Sequence, residues 1–274
     1  MVRFFSVLSD ISDGIVHLSA EDAAHIRSLR LRPDELFTVC DGGGVDYICR
    51  LGERNVCSVA EIIEAHSSRG EPSVACSVYI AYAKGDRLDY AVQKSVELGA
   101  SDIVLFPSDR CVAIPDDPEK KVGRLQRIAL ETAKQCGRGR IPVIIAMSSF
   151  GAAIRQATQH HKKSVPGIRI SPGDDEYTNG NPDTNTSCSS VSGLSLFFYE
   201  CEEKLHLKQV LEERSKETES ISIVTGPEGG FEPHEAEFAQ SMGLIAVSLG
   251  PRILRCETAP VAALAAIMFS TGNL

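Results

Sequence analysis

The sequence predicts an α/β protein with a mainly parallel sheet in its C-terminal part and a small β-barrel in front of it. Two observations support this. After about residue 72, strand-like apolar runs alternate with segments of helical periodicity, which is typical of a parallel sheet covered on both faces. From Leu36 to Glu64, short β-rich runs alternate with turn signals, which is the pattern of a small antiparallel barrel.

The turns of the N-terminal part are marked by Asp41-Gly-Gly-Gly44 and Gly52-Glu-Arg-Asn55. Glycine and asparagine favour such turns because they tolerate a positive φ. The change of pattern after Gly70-Glu-Pro72 places a domain boundary there. We therefore expect a first domain of residues 1–72 and a second of residues 73–274.

In the second part, the first strand is followed by a helix that begins at Asp86 and carries an apolar stripe from Leu88 to Val96. Further strands follow in alternation with helices. The predicted strands are Val74–Tyr82, Ile103–Phe106, Val143–Ala146, Leu194–Tyr199, Ile221–Val224 and Ile245–Leu249.

A polar stretch from about 159 to 192, rich in Ser, Asn, Asp, Pro and Gly, interrupts this alternation. Its composition cannot bury enough apolar surface to fold on its own, so we expect a long loop or a disordered insertion.

Composition excludes several classes of protein. The chain has 274 residues, of which 43% are hydrophobic, so it can bury a full core. The most apolar stretch, Ala259 to Phe269, is too short to span a bilayer, and Met1-Val-Arg-Phe-Phe5 does not resemble a signal peptide. Nine cysteines without metal-ligand spacing predict reduced thiols, no metal site and a cytoplasmic location.

Two glycine-bearing loops follow the last two predicted strands: Thr225-Gly-Pro-Glu-Gly-Gly-Phe231 and Leu249-Gly-Pro-Arg-Ile-Leu-Arg-Cys-Glu-Thr258. Loops at the carboxyl ends of parallel strands are where open α/β sheets bind ligands. Neither loop reads Gly-x-Gly-x-x-Gly or ends in Gly-Lys-Ser/Thr, and Glu228 would repel a polyphosphate. Their small residues form a rigid wall suited to a flat, mostly apolar ligand, although simple turn punctuation would explain either loop alone.

In these two segments the chain resembles the ribosomal RNA small subunit methyltransferase E family, the 16S rRNA uridine-N3 methyltransferases of the SPOUT class. The similarity continues upstream in order and spacing over nearly the whole chain. The further matching segments are His25-Ile-Arg-Ser-Leu-Arg30, Lys84-Gly-Asp-Arg87, Gln93-Lys-Ser-Val-Glu-Leu-Gly99, Ser108-Asp-Arg-Cys111 and Glu131-Thr-Ala-Lys-Gln-Cys-Gly-Arg138.

The resemblance implies more than the pattern does. It implies a PUA-like barrel at the N-terminus and a SPOUT-type sheet tied into a deep trefoil knot. It also implies a homodimer that binds S-adenosylmethionine in the knotted loops and methylates N3 of a decoding-region uridine in 16S rRNA of the small ribosomal subunit. The polar insertion has no counterpart in the family, so contacts made there by relatives are not carried over.

The methyl-donor site of the family carries over onto residues after the last three strands. These are Tyr199, Glu200, Thr225, Gly226, Pro227, Glu228, Gly229, Gly230, Leu249, Gly250, Ile253, Leu254, Glu257 and Thr258. The apolar members could equally be core residues beneath the loops, and Thr258 with Pro260 is also an ordinary helix start.

Arg255 and Glu228 are the candidate catalytic residues. The imide proton of a uridine must leave before N3 attacks a methyl group, so negative charge develops on the flanking carbonyl oxygens. Arg255 could stabilise that charge, and Glu228 is a weaker candidate for proton acceptor or orienting group.

The net charge of −9 is unusual for a phosphate-binding protein, but basic residues outnumber acidic ones only between about residues 84 and 158. Solvated surface charge, or compensation of a helix dipole by Lys134, would explain much of this pattern. Taken with the resemblance, the RNA-binding candidates are His25, Arg27, Arg30, Lys84, Arg87, Lys94, Arg110, Arg138 and Arg140.

Two other functions stay open at this stage. One is a SPOUT enzyme with another RNA target or with ribose 2′-O specificity. The other is a donor-binding RNA-binding protein without catalysis, which the acidic balance favours and the retention of Arg255 disfavours.

Overall fold

The computed structural model describes residues 2–32, 34–52, 58–159, 193–214 and 218–274. The chain forms two compact units. The described residues of the first fall within Met1–Glu71 and Ala133–Ile141, and those of the second within Pro72–Thr132, 142–159, 193–214 and 218–274. The predicted polar insertion lies outside the described residues except for Gln159.

The first unit is built on a six-stranded sheet, one ten-residue α-helix, a 3-10 turn at Leu8–Asp10 and the last residues of a longer helix, 133–136. The sheet order is β1-β4-β5-β6-β3-β2. Its elements are β1 (Arg3–Phe5), β2 (Ile11–Ser12), β3 (Ile15–His17), α1 (Ala20–Leu29), β4 (Leu36–Cys40), β5 (Val45–Leu51) and β6 (Val59–Ser67).

Most of this sheet is antiparallel, as the sequence predicts, but one pairing is not: β1 runs parallel to β4. The antiparallel prediction covers Leu36 to Glu64, where β4, β5 and β6 do pair in antiparallel fashion, and β1 lies outside that range. The core of the unit is apolar and closely packed around Phe4 and Phe37, whose rings meet edge to face with centroids 5.7 Å apart.

A buried ion pair also stabilises the first unit. Arg3 contacts both carboxylate oxygens of Asp46 at 2.8 and 2.9 Å and donates to the Arg138 carbonyl at 3.3 Å. The Cys40 thiol lies beside the same pair, and burial raises its pKa far above the ordinary value. Because Asp46 is buried and Arg3 mostly so, loss of either partner would leave the other charge largely out of water.

The second unit is built on a six-stranded sheet in the order β12-β10-β11-β7-β8-β9, with every pairing parallel. The prediction of a mainly parallel sheet is thus confirmed. The elements are β7 (Ala75–Ala81), α2 (Arg87–Glu97), β8 (Asp102–Phe106), α3 (Pro118–Cys136), β9 (Val143–Ala146), α4 (Phe150–Ala157), β10 (Gly193–Phe198), α5 (Leu207–Arg214), β11 (Ser220–Thr225), α6 (Pro233–Ser241), β12 (Ile245–Val247) and α7 (Thr258–Ser270).

The order of strands in the second unit is not their order in the sequence. β7, β8 and β9 fill one side in succession, and then β10 lies on the other side, with β11 between β10 and β7. β12 pairs with the outer edge of β10. This arrangement places the carboxyl ends of β10, β11 and β12 side by side.

Aromatic packing fixes the loop after β11 to the core of the second unit. Phe231 is 1% exposed, and its ring lies 4.4 Å from that of Phe197 and 5.8 Å from that of Phe150. Rings at these distances bury large apolar surfaces, so the far end of the loop is held in place by Phe231.

Candidate active site

A cavity of about 1070 Å³ opens at the carboxyl ends of β10, β11 and β12. It brings together most of the residues predicted for the donor site, together with the predicted catalytic arginine. The predicted residues that line it are Tyr199, Glu200, Gly226, Pro227, Glu228, Gly229, Gly230, Leu249, Gly250, Ile253, Leu254, Arg255 and Glu257. Its size and position are those expected for a small-molecule site in an open α/β sheet.

Two predicted donor-site residues do not line the cavity. Thr225 is fully buried, and its hydroxyl donates to the Tyr79 carbonyl at 3.2 Å. It therefore anchors the end of β11 beneath the loop. Thr258 is the exposed first residue of α7 and lies outside the lining. The sequence alone does not distinguish residues that line the cavity from residues that anchor its loops, because both threonines are next to lining residues.

The glycines of the first loop, Gly226–Gly230, are required by close contacts. A Cβ on Gly226 would lie 3.0 Å from the Phe231 ring, and a Cβ on Gly230 would lie on the carboxylate of Glu200. Gly230 also has φ +69°, which L-residues with side chains rarely adopt. The Glu200 carboxylate accepts a hydrogen bond from the Phe231 amide at 3.0 Å, which ties the loop after β10 to the loop after β11.

Glu228 is engaged as a hydrogen-bond acceptor in this loop. Its Oε1 accepts from the Lys84 amide at 2.8 Å and from Arg87 Nη1 at 2.6 Å. Burial works to raise the pKa of Glu228, but these donors outweigh it, and the pKa lies below the ordinary value. A carboxylate with a lowered pKa is a weak proton acceptor, so the geometry favours an orienting role for Glu228 over that of a general base.

Arg87, which the sequence assigned to RNA, lies at the cavity. Besides its contact with Glu228, its Nε is 3.8 Å from Glu257 in the second loop. Sequence reasoning missed this position because the partners are far apart in the chain. It also missed the lining residues Arg252 and Cys256, which adjoin predicted residues and could have been found from them. Further missed lining residues follow β10 at a greater distance from Glu200, namely Glu202, Glu203 and His206.

Arg255 has an exposed side chain at the cavity wall. Within the ranges that the structure describes, its guanidinium pairs with no carboxylate. It is therefore available to a developing negative charge on a substrate, as the sequence predicts for an anion-stabilising residue. Cys256, the next residue, is buried, and burial raises the pKa of its thiol to about 12.

The lining carries more carboxylates than cations. Arg87, Arg252 and Arg255 face five carboxylates, those of Glu200, Glu202, Glu203, Glu228 and Glu257. A cleft of this sign attracts a cationic ligand more strongly than a polyphosphate, in keeping with the absence of a nucleotide fingerprint in the sequence.

Two further RNA candidates of the second unit are ion-paired within the fold. Arg110 Nε lies 2.7 Å from Glu232, and its Nη1 donates to the Gly229 carbonyl at 2.9 Å. Lys94 is paired with Glu97 at 2.7 Å. Lys84 has an exposed side chain, so it stays a candidate for contact with a phosphate.

In the first unit, Arg138 is 4% exposed and makes a bidentate contact with Glu71, with Nε and Nη2 donating at 2.8 and 2.9 Å. A buried guanidinium held by a carboxylate is not accessible to a phosphate, so the structure argues against Arg138 as an RNA contact. Arg140 is only half-buried, and its Nη2 donates to the Gly43 carbonyl at 3.1 Å.

The remaining RNA candidates of the first unit lie on or directly after α1. His25 and Arg27 are exposed, and Arg30 ends the helix with a left-handed backbone at φ +54°. Lys134 lies 3.8 Å from Asp22, so this cation has a partner within the fold.

The described residues contain no group of three His, Cys, Asp or Glu side chains arranged to hold a metal ion. No helix among them has the length and apolar composition needed to cross a membrane. The seven cysteines that fall within them form no disulfide.

Known proteins similar to the chain carry related names. The family model for the RNA methyltransferase domain matches residues 70–171 and 178–268. Ribosomal RNA small subunit methyltransferase E of Bacillus subtilis is 28% identical over 93% of this chain and 90% of its own length, and that of Synechocystis is 30% identical over 88% and 68%.

A solved structure shares the whole architecture. The ribosomal RNA small subunit methyltransferase E of Neisseria gonorrhoeae, bound to S-adenosyl methionine, superposes with a TM-score of 0.75 at 27% identity, covering 98% of this chain and 97% of that one. With two glycine loops and an unpaired arginine around one cavity, and with this family match over most of its length, the chain belongs to the RNA methyltransferase domain family.

Proposed function

We propose that the chain transfers a methyl group from S-adenosylmethionine to N3 of a uridine in the decoding region of 16S rRNA, within the small ribosomal subunit. The observation that carries the proposal is the single cavity formed by both glycine loops with Arg255 at its wall. The names of the relatives and the donor bound in the Neisseria neighbour support the substrate and the donor.

The cavity fits such a donor on three counts. Its volume of about 1070 Å³ can hold a molecule of that size. The loop Gly226–Gly230 contributes three glycines to the lining, which lets a ligand approach the backbone closely. The excess of carboxylates matches the positive charge of a sulfonium. When bound, S-adenosylmethionine supplies an electrophilic methyl group.

The residues of the chain would act on the uridine. Arg255 would stabilise the negative charge that spreads over the uracil carbonyl oxygens as the N3 proton leaves. Glu228, held in place by Lys84 and Arg87, would orient the loop and would not accept that proton. Apolar walls from Leu249, Ile253 and Leu254 would exclude water, which strengthens electrostatic interactions in the site.

The same proposal includes a PUA-like barrel in residues 1–72 and a knotted SPOUT domain in residues 73–274. The six-stranded sheet of the first unit and the strand order of the second are compatible with both. The loops that would form the knot are those after β10, β11 and β12, which line the cavity.

We also propose a cytoplasmic homodimer. The support is α7, which is apolar on nearly all faces and packs against α2, α5, β7 and β11. Phe269 on the same helix is 75% exposed. An exposed aromatic ring on an apolar helix is suited to a partner surface.

The test is transfer of isotope-labelled methyl groups from S-adenosylmethionine to unmethylated small subunits, followed by mass spectrometry of the digested nucleosides. We expect the label in 3-methyluridine. Label in a ribose-methylated nucleoside would indicate a 2′-O-methyltransferase instead. Donor binding without any transfer would indicate a non-catalytic RNA-binding protein.

The role of Arg255 is tested with Arg255→Ala in the same assay. Loss of an anion-stabilising donor costs about 10²–10³ in turnover, and donor binding should be nearly unchanged. Turnover within a few-fold of the wild type in a folded variant would exclude this role.

A further inference from the structure

We infer that Arg87 and Arg110 are positioning residues that clamp the loop Gly226–Gly230 in its donor-binding conformation, and that their main role is not contact with RNA. The inference rests on the proposed function in one respect, namely that this loop binds the methyl donor. The clamp itself follows from contacts within the second unit.

Arg87 holds the loop from the side of β7. It is the first residue of α2, in the connection that follows β7, and its Nη1 lies 2.6 Å from Glu228 Oε1. The Lys84 amide donates to the same oxygen at 2.8 Å. The segment after β7 therefore binds the Glu228 carboxylate through one backbone donor and one side-chain donor. The Nε of Arg87 faces Glu257 at 3.8 Å, which links the two glycine loops through one guanidinium.

Arg110 holds the same loop from the side of β8. Its Nη1 donates to the Gly229 carbonyl at 2.9 Å, and its Nε contacts Glu232 at 2.7 Å. Glu232 is the N-cap of α6 in a capping box with Glu235, so the arginine is anchored to the start of a helix. A Cβ on Gly229 would lie 2.9 Å from the Cβ of Arg110, so only glycine allows the stem of the arginine to pass this close.

Adjacent contacts reinforce the second grip. The Asp109 amide donates to Glu235 Oε1 at 3.1 Å, and the Ser108 hydroxyl lies 3.4 Å from Oε2 of the same residue. The segment Ser108–Arg110 is therefore fixed to α6 at three successive residues. The hydrogen bond from Arg110 also lowers the pKa of Glu232.

The loop needs such a clamp because three of its five residues are glycine, which loses more conformational freedom on ordering than any other residue. Phe231 and Glu200 fix its far end, but they do not reach Glu228 or the Gly229 carbonyl. Two arginines at these positions hold the middle of the loop before a ligand arrives. Pre-ordering of this kind raises affinity by reducing the entropy lost on binding.

Neither arginine is free to bind a phosphate, because each guanidinium already contacts a carboxylate. Each faces a carboxylate at 2.6 or 2.7 Å, and a phosphate would have to displace that carboxylate first. Both side chains are only about two-fifths exposed, at 41% and 40%. Positioning of the loop explains the acidic partners, whereas a purely RNA-binding role leaves them without a purpose.

The test compares Arg87→Gln, Arg110→Gln and Glu228→Gln with the full-length wild type. The matched control is Arg124→Gln, which removes a bidentate arginine–carboxylate contact with Asp89 on the helices α2 and α3, outside the cavity lining. Titration calorimetry with S-adenosylmethionine gives the donor Kd. Hydrogen exchange of amides 226–231 in the ligand-free protein gives the order of the loop.

If the released loop spends about one tenth of its time in the competent conformation, the donor Kd rises about tenfold in the clamp variants. Their loop amides should exchange faster, and Arg124→Gln should match the wild type in both measurements. Arg87→Gln combined with Glu228→Gln should cost less than the sum of the two single changes, because both act on the contact between Arg87 and Glu228. Arg87→Lys should be intermediate, since lysine supplies a charge without the second contact.

The outcomes separate this inference from the proposed function. Wild-type donor affinity and slow loop exchange in both arginine variants, with weaker binding of small subunits, would overturn the clamp and return both arginines to the RNA surface. Failure of the wild type to bind the donor would overturn the proposed function, while the exchange measurement would still decide whether the clamp exists.

Discussion

The replacement Gly230→Ala isolates the contact between the loops after β10 and β11. Alanine at φ +69° costs about 1–2 kcal/mol of backbone strain. Its Cβ would also take the place of the Glu200 carboxylate, which must swing away and lose its hydrogen bond to the Phe231 amide. Loss of a hydrogen bond to a charged group adds about 1.5 kcal/mol at the lower end of its range, which suits an exposed side chain.

We therefore expect Gly230→Ala to reduce the free energy of unfolding by roughly 2.5–3.5 kcal/mol. Gly243→Ala is the matched control. Gly243 has φ +92°, but a Cβ there meets no atom within 4 Å, so only the strain of about 1–2 kcal/mol applies. Guanidinium unfolding measures both, provided that the slopes of the two transitions agree with that of the wild type.

A second comparison separates strain from contact. In a Glu200→Ala background the carboxylate is already gone, so Gly230→Ala should cost no more than Gly243→Ala. Equal losses for Gly230→Ala and Gly243→Ala in the wild-type background would refute the reasoning, because the contact with Glu200 would then carry no free energy. A cost at Gly230 that persists in full without Glu200 would do the same.

Three further predictions concern charged groups. Asp46→Ala should cost about 3 kcal/mol of stability because it leaves Arg3 buried without its carboxylate; unfolding at neutral pH measures this, and a loss below 1 kcal/mol would contradict it. The pKa of Glu228 is lowered, so its contribution to the loop is complete above the unfolded value of about 4.3 and is lost as the pH falls through the folded value. Donor Kd should therefore rise more steeply on acidification in the wild type than in Glu228→Gln, which keeps the other four carboxylates of the lining. Parallel profiles would reject this. Arg140→Glu should weaken subunit binding and reduce the dependence of that affinity on salt concentration by about one contact or more. Arg138→Met should lower the stability of the protein and leave the salt dependence unchanged. The reverse pattern in filter binding would restore Arg138 as the RNA contact.

The sequence predicts the strands of the second unit well because each is a short run, rich in apolar residues, between turn signals. The predicted strand Ile221–Val224 lies within Ser220–Thr225, and the predicted Val143–Ala146 is found with the same ends. Their order in the sheet could not be predicted from such runs, since every buried strand reads alike and pairing depends on contacts between distant segments. In the first unit, the short strands β1–β3 have too few residues for a recognisable alternation.

At the site, the sequence indicates which loops come together, but it does not indicate which charged side chains form ion pairs within the fold. Arg87 and Glu228 are 141 residues apart, and Arg110 and Glu232 are 122 apart. A basic residue in a basic segment predicts an exposed cation, and only the folded arrangement shows that a carboxylate already faces it. The basic segment and the family resemblance therefore predict both arginines as RNA contacts, and neither reveals their acidic partners.

The same pairing bears on the acidic balance of the chain. A net charge of −9 conflicts with RNA binding only if every cation is needed for phosphate contact. Three of them form ion pairs within the fold instead: Arg87 with Glu228, Arg110 with Glu232 and Arg138 with Glu71. With Lys94 also paired, five of the nine predicted RNA contacts are left, namely His25, Arg27, Arg30, Lys84 and Arg140. The phosphate contribution to affinity and the dependence on salt should then be smaller than nine contacts would give. Recognition of the subunit would then depend more on the shape of the assembled RNA than on its charge.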